Sequence, residues 1–229
     1  MSESEQNMPK SLKQIAYDTL KQKIVSCEIL PGTLLTEDAL CEELNASRTP
    51  VRDAISRLEQ ERLVSIKPKK GILVNRVSMN NIQELFDVRV VFAPMIVRLY
   101  GNRIRDEVYT HYIQQFNRTD CTKEELFRLD NEFHQLFVTA SNNRYYRSIY
   151  EIIQDQVMRY RILSIAGNRL DTTQQEHREI ALRCLCGNWD GAAEAMRTHI
   201  ENSKLAIISY VMDTNRNARN IFSEEEEDL

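Results

Sequence analysis

Four side chains in the second half of the chain could hold a metal ion. Asp130 and His134 stand four apart in Leu129-Asp130-Asn131-Glu132-Phe133-His134. On a helix that spacing puts both on one face. Leu126, Leu129, Phe133, Leu136 and Phe137 supply the apolar positions around them, so that face turns partly inward. His177, in Glu176-His177-Arg178-Glu179-Ile180, and His199, closing Ala192-Ala193-Glu194-Ala195-Met196-Arg197-Thr198-His199, lie on later helical stretches. Imidazoles with one carboxylate suit a divalent ion, zinc first, with nickel, manganese or iron as alternatives. Four protein ligands on an octahedral ion would leave room for water or a chelating anion. Taken singly, each histidine also reads as an ordinary hydrogen-bonded residue, and D-x-x-x-H pairs are common. Glu132 and Glu176 neighbour the set, but Glu132 falls on a different helix face from Asp130 and His134.

A second set of residues near the N-terminus has the makings of a duplex reader. In Ser47-Arg48-Thr49-Pro50-Val51-Arg52, Ser47 can cap a helix whose first turn presents Arg48, Thr49 and Arg52. Arg48 and Arg52 share a face opposite the apolar stripe of Val51, Ala54, Ile55 and Leu58. A guanidinium fork can grip a guanine edge, Thr49 can meet a phosphate or a thymine methyl, and Ser47 with the helix N-terminus can hold a phosphate. Downstream, Pro68-Lys69-Lys70-Gly71 makes a basic turn between two β-like runs, where Gly71 would let the backbone approach a duplex closely. Helix faces rich in arginine are usually only solvated. A tight turn before this helix and a basic hairpin after it are what favour DNA binding.

These residues need elements to position them. Leu12, Ile15, Ala16, Leu20 and Ile24 have helical spacing, and Pro31-Gly32 ends that segment. Thr36 caps a short helix, and Asn45-Ala46 turns the chain into the Ser47 helix. Leu63 to Ile66 and Ile72 to Val74 read as a hairpin. From Ser78 the pattern is helical: a first helix through Phe92, then Glu107 to Phe116, Glu124 to Ser141, Tyr145 to Leu163, Thr173 to Cys186 and Trp189 to Met212. The expected fold is mainly α: a winged helix-turn-helix of three helices plus a β-hairpin wing, followed by an all-α bundle of about six helices.

Bulk properties permit this. With 229 residues, two domains and a substantial core are possible. The net charge of -4 hides an asymmetry. Leu44 to Val77 carries eight Lys or Arg against three Asp or Glu, and Glu224 to Asp228 is a run of five acids. Local charge governs a duplex partner, so the acidic average is no veto. Five cysteines without a CxxC pair read as free thiols, and no apolar run is long enough to cross a membrane, which points to a reducing cytoplasm.

Leu30-Pro31-Gly32-Thr33-Leu34-Leu35-Thr36-Glu37, then Ser47 through Leu58, then Gly71-Ile72-Leu73-Val74, resemble the GntR family of bacterial transcription regulators over residues 11 to 77. Residues 79 to 212 resemble the FCD ligand-binding domain of the FadR subfamily. The resemblance implies that Arg48, Thr49, Arg52 and the wing around Gly71, with Lys69 and Lys70 beside it, meet DNA. It also implies that Asp130, His134, His177 and His199 coordinate a divalent ion near a small-carboxylate effector. Arg89, in Phe86-Asp87-Val88-Arg89, matches an arginine that faces that pocket in the family. Ala93 departs from the pattern, since an acidic residue is common there. Arg159 and Arg161 could also be anion partners, but read better as solvated helix arginines.

The expected organisation is therefore a disordered 1–10, a DNA-binding domain at 11–77, an effector-binding and dimerisation domain at 78–214, and an acidic disordered tail at 215–229. The expected function is a homodimer reading a palindromic operator in double-stranded DNA, controlled by a small carboxylate or sugar-acid-like effector. Two rival readings use the same residues: a metal-dependent enzyme, and a constitutive DNA-binding protein with a purely structural metal.

Overall fold

The computed structural model describes residues 11–163 and 170–215, which form two compact units dividing between Val77 and Ser78. The expected disordered ends, 1–10 and 215–229, lie outside the described residues, except for Asn215, which closes the last helix.

The first unit opens with α1 (Leu12–Val25), capped by the Ser11 hydroxyl accepting from the Gln14 amide at 3.2 Å. A two-residue strand β1 (Leu34–Leu35) follows, and then α2 (Glu37–Glu43), capped by the Thr36 hydroxyl. Asn45 takes a left-handed backbone (φ 45°), which turns the chain sharply into α3 (Arg48–Gln60). Val51, Ala54, Ile55 and Leu58 of α3 pack against Ala16, Leu20 and Ile24 of α1 and Leu40 of α2. The hairpin β2 (Val64–Lys67) and β3 (Gly71–Val74) closes that core from below with Val64, Ile72 and Val74. Its sheet is antiparallel, in the order β1-β3-β2. Strand β1 has no signal in the sequence, since two leucines carry no alternation to detect. They become a strand only because β3 offers them a free edge.

The second unit is wholly helical among the described residues. It comprises α4 (Met79–Tyr100), α5 (Asp106–Phe116), α6 (Lys123–Ala140), α7 (Arg144–Leu163), α8 (Leu170–Leu185) and α9 (Trp189–Asn215). Ser78 caps α4 through the Asn81 amide. A reciprocal capping box of Thr122 and Glu125 fixes the start of α6. Helix α9 runs along α4 and α8, α8 also packs on α5, and α6 lies between α4 and α7. This mainly α architecture, winged helix-turn-helix then helical bundle, is the one the periodicity predicts. No helix among the described residues is long and apolar enough to cross a membrane. All five cysteines are free thiols.

Candidate metal centre and nucleic-acid interface

Helices α6, α8 and α9 deliver the four candidate ligands to one point. Asp130 and His134 come from consecutive turns of α6, His177 from α8 and His199 from α9. One donor atom of each lies within 4.8 Å of every other, and all four side chains are buried. The Nε2 atoms of His134 and His199 are 3.3 Å apart, and those of His177 and His134 are 3.2 Å apart. His177 Nε2 also lies 3.2 Å from Asp130 Oδ1. Donors on a tetrahedral ion with bonds of about 2.0–2.1 Å sit about 3.3 Å apart, and about 2.9 Å apart on an octahedral one. The observed separations fit a divalent cation.

The electrostatics agree. Burial lowers the pKa of His177 to about 4 and those of His134 and His199 well below the ordinary histidine value. Neutral imidazoles present lone pairs, which is the form that binds metal. Burial pushes the Asp130 carboxyl up, but the Arg161 guanidinium, His177 and His134 together hold it well below the usual range, so it stays an anion. Converging lone pairs and a carboxylate, sealed from water, repel one another unless a cation sits between them.

The surrounding groups orient these ligands. The Glu176 carboxylate lies 2.8 Å from His199 Nδ1, so that nitrogen carries the proton and Nε2 is left as a donor to a metal. Asn202 in turn donates to Glu176 at 2.7 Å. Arg161 grips Asp130 with both terminal nitrogens, Nη2 donating to Oδ1 at 3.0 Å. In the sequence Glu176 is only a neighbour of the ligand set, and nothing local assigns it this contact. The i,i+3 spacing of His199 and Asn202, which aims both at one acceptor, was the available signal. The reading of Arg159 and Arg161 as solvated is overturned: Arg159 is 1% exposed and hydrogen-bonded to Gln156, and Arg161 is partly buried and paired with Asp130. Glu132 is exposed, away from the ligands.

Beside His134 opens a cleft of about 360 Å³ including its mouth. Arg89 of α4 lines it, 3% exposed, with Nη2 3.5 Å from His134 Nε2. Arg89 Nη1 is buried without a hydrogen-bond partner. Burial, and then the nearby Arg161 charge, lower its pKa to about 10, so it remains a cation at neutral pH. Ala93 lines the same cleft.

In the first unit, Ser47 is the N-cap of α3, but its side chain makes no capping bond. Ser47, Arg48, Thr49 and Arg52 are all exposed at the start of that helix, and Lys69 and Lys70 are exposed on the wing turn. The two arginines are not loose. Arg48 Nη2 donates to Asp38 Oδ1 at 2.9 Å, and Arg52 Nε faces both Glu37 carboxylate oxygens at 3.0 and 2.9 Å. Exposed pairs of this kind are worth about 0–1 kcal/mol, so a phosphate or guanine can replace the acid at small cost. Gly71 has an internal reason to be glycine. At φ +121° an added Cβ would stand 2.4 Å from the Leu35 carbonyl oxygen, so a side chain would break the β1-β3 pairing.

A helix-turn-helix with a basic wing, joined in one chain to a helical bundle with a buried His₃Asp cluster, defines a two-domain transcription regulator. Family models match both parts: the bacterial regulatory proteins of the gntR family over residues 12–74, and the FCD domain over residues 84–202. The chain belongs to the GntR family, as a member with an FCD domain. The HTH-type transcriptional repressor RspR of Escherichia coli (strain K12) is 26% identical over 205 residues, 87% of this chain and 90% of that protein. A GntR transcriptional regulator from Rhodococcus sp. RHA1 has the same fold. Its TM-score is 0.72 at 19% identity, covering 87% of this chain and 99% of that one. The Zn2+-bound FCD domain of the transcriptional regulator TM0439 matches at a TM-score of 0.51 and 22% identity, over 60% of this chain and 98% of that domain. All three of these similar proteins are transcription regulators by name.

Proposed function

We propose that this regulator reads a palindromic operator as a homodimer and that a small organic acid, a carboxylate or sugar-acid-like effector, controls its affinity from a divalent-metal site in the helical unit. Residues 11–77 form the DNA-binding domain and 78–214 the effector-binding and dimerisation domain. Asp130, His134, His177 and His199 hold the ion, which when bound supplies a Lewis-acidic anchor for an anion. Zinc is favoured by the donor set and by the zinc found in the similar FCD domain of TM0439. Arg89 offers the effector a second grip. Ser47, Arg48, Thr49, Arg52, Lys69, Lys70 and Gly71 meet the duplex. The dimer reading is supported by apolar side chains left exposed along one line of α4 (Val88, Val91, Leu99) and one of α9 (Leu205, Met212).

The observation that carries this reading is the burial of a cation-seeking cluster beside a guanidinium with one buried nitrogen left without an acceptor, an arrangement suited to an anion. Signal transfer is a population shift: the effector binds one arrangement of the dimer better, and the two reading heads follow. Operator duplexes selected from a random-sequence pool test the output end. Arg48→Ala and Arg52→Ala should each lower specific affinity by at least about tenfold with the fold intact. Wild-type affinity in both variants would overturn the assignment of the reading helix.

A further inference from the structure

The cleft beside the metal cluster is polar at one end and apolar everywhere else. Arg89 and His134 supply its charged and imidazole lining, their Nη2 and Nε2 atoms 3.5 Å apart, and Arg89 Nη1 is buried without a hydrogen-bond partner. A desolvated guanidinium nitrogen without an acceptor is costly, and an anionic head group removes that cost. The remaining wall is hydrocarbon: Phe92, Ile96, Phe137, Val138, Ile153 and Met196. Ala93, one helical turn beyond Arg89, adds a methyl group rather than an acid that would neutralise the guanidinium. Tyr150, also in the wall, has its hydroxyl committed to the Asn131 carbonyl at 3.2 Å. Among the described residues, then, the cleft offers an anion holder and almost nothing for hydroxyl groups.

Each hydroxyl placed against such a wall loses its water and gains no partner, at about tenfold in affinity apiece. Each methylene placed there gains about fourfold. Even counting its open mouth the cleft measures only about 360 Å³, so any body it takes is short. We propose that the effector is a short monocarboxylate with an apolar body, its carboxylate held by Arg89 at the metal cluster and its hydrocarbon filling the cleft. This rests on the acid-effector reading above and narrows it against polyhydroxylated acids.

Calorimetric titration of the full-length, zinc-loaded protein tests it with acetate, butanoate, hexanoate, hexanol and gluconate, the last having the carbon chain of hexanoate with hydroxyls along it. Affinity should rise about fourfold per methylene along the acid series, and hexanoate should bind at least about tenfold more tightly than either gluconate or hexanol. Gluconate matching hexanoate would overturn the apolar-body inference and leave the acid-effector reading standing. An acid series that does not bind, or hexanol matching hexanoate, would overturn both. Ala93→Asp supplies an internal partner for Arg89 and should abolish hexanoate binding with zinc content unchanged. Undiminished hexanoate affinity in that zinc-loaded variant would also overturn the inference. If the variant does not fold, the titration series on the native chain decides.

Discussion

Glu176 reaches the cluster without touching the point where the donors converge. By accepting from His199 Nδ1 while Asn202 holds its other oxygen, it fixes which imidazole nitrogen faces inward. Glu176→Gln should therefore weaken zinc binding by about 10–100-fold in a chelator competition, with four-ligand stoichiometry retained. Equal affinity would show the contact to be packing only. The three histidines also set a pH dependence for the metal-free protein. Their folded-state pKa values lie below the unfolded value, to about 4 for His177, so the unfolded chain binds more protons as pH falls. All three contributions are intact above about pH 6.5; that of His177 is lost between there and about pH 4, and those of His134 and His199 are lost as pH falls through the same range and onward. The depressed Asp130 carboxyl acts in the same direction, below its ordinary value. Urea melts of metal-free protein should show stability falling across that window, and a flat profile would mean that the imidazoles are not buried as neutral groups. The Asp130 and His134 pair was legible in the sequence because i,i+4 spacing is a local fact. Arg161 was not. A basic residue on an amphipathic helix looks solvated unless the acid that neutralises it, here 31 residues upstream, is known to face it.

At the scale of elements, the caps and stripes were readable because they are written within a few residues. Thr36, Ser47 and Ser78 each stand at the helix start they mark, and the apolar positions of α3 are the ones that pack on α1. Strand β1 and the role of Gly71 were not readable, since both depend on an edge-to-edge pairing formed by tertiary contact. That pairing gives the wing a sharp test. Gly71→Ala forces a side chain into a left-handed backbone against the Leu35 carbonyl, a strain of about 1–3 kcal/mol or more. It should lower the melting temperature of the isolated first unit or of the full chain and weaken duplex binding, while zinc content stays at the wild-type level. Unimpaired duplex binding with unchanged stability would show that the β1-β3 pairing does not hold the wing. The acids at the start of α2 work at this scale too. Glu37 and Asp38 favour the N-terminus of their own helix and pair with Arg52 and Arg48 of α3, so one turn of sequence serves two elements.

For the whole molecule the claim is a coupling between a site that holds metal and acid and a helix that reads bases. No short stretch of sequence could state it, because the ligands come from three helices and the cleft from others. Only likeness to a family with the same two parts brought the four ligands together in advance. A purely structural metal would stabilise the bundle without touching operator affinity, and an allosteric one would not be silent. The direct measurement is the operator affinity of the full-length protein in three states: zinc-stripped, zinc-loaded, and zinc-loaded with saturating hexanoate, each repeated with His134→Ala. The account predicts that the acid shifts affinity about 5–150-fold in the zinc-loaded native protein, and that the shift disappears on stripping the zinc or in His134→Ala. Operator affinity that is the same in every state, in a protein shown to bind both zinc and the acid, would contradict it.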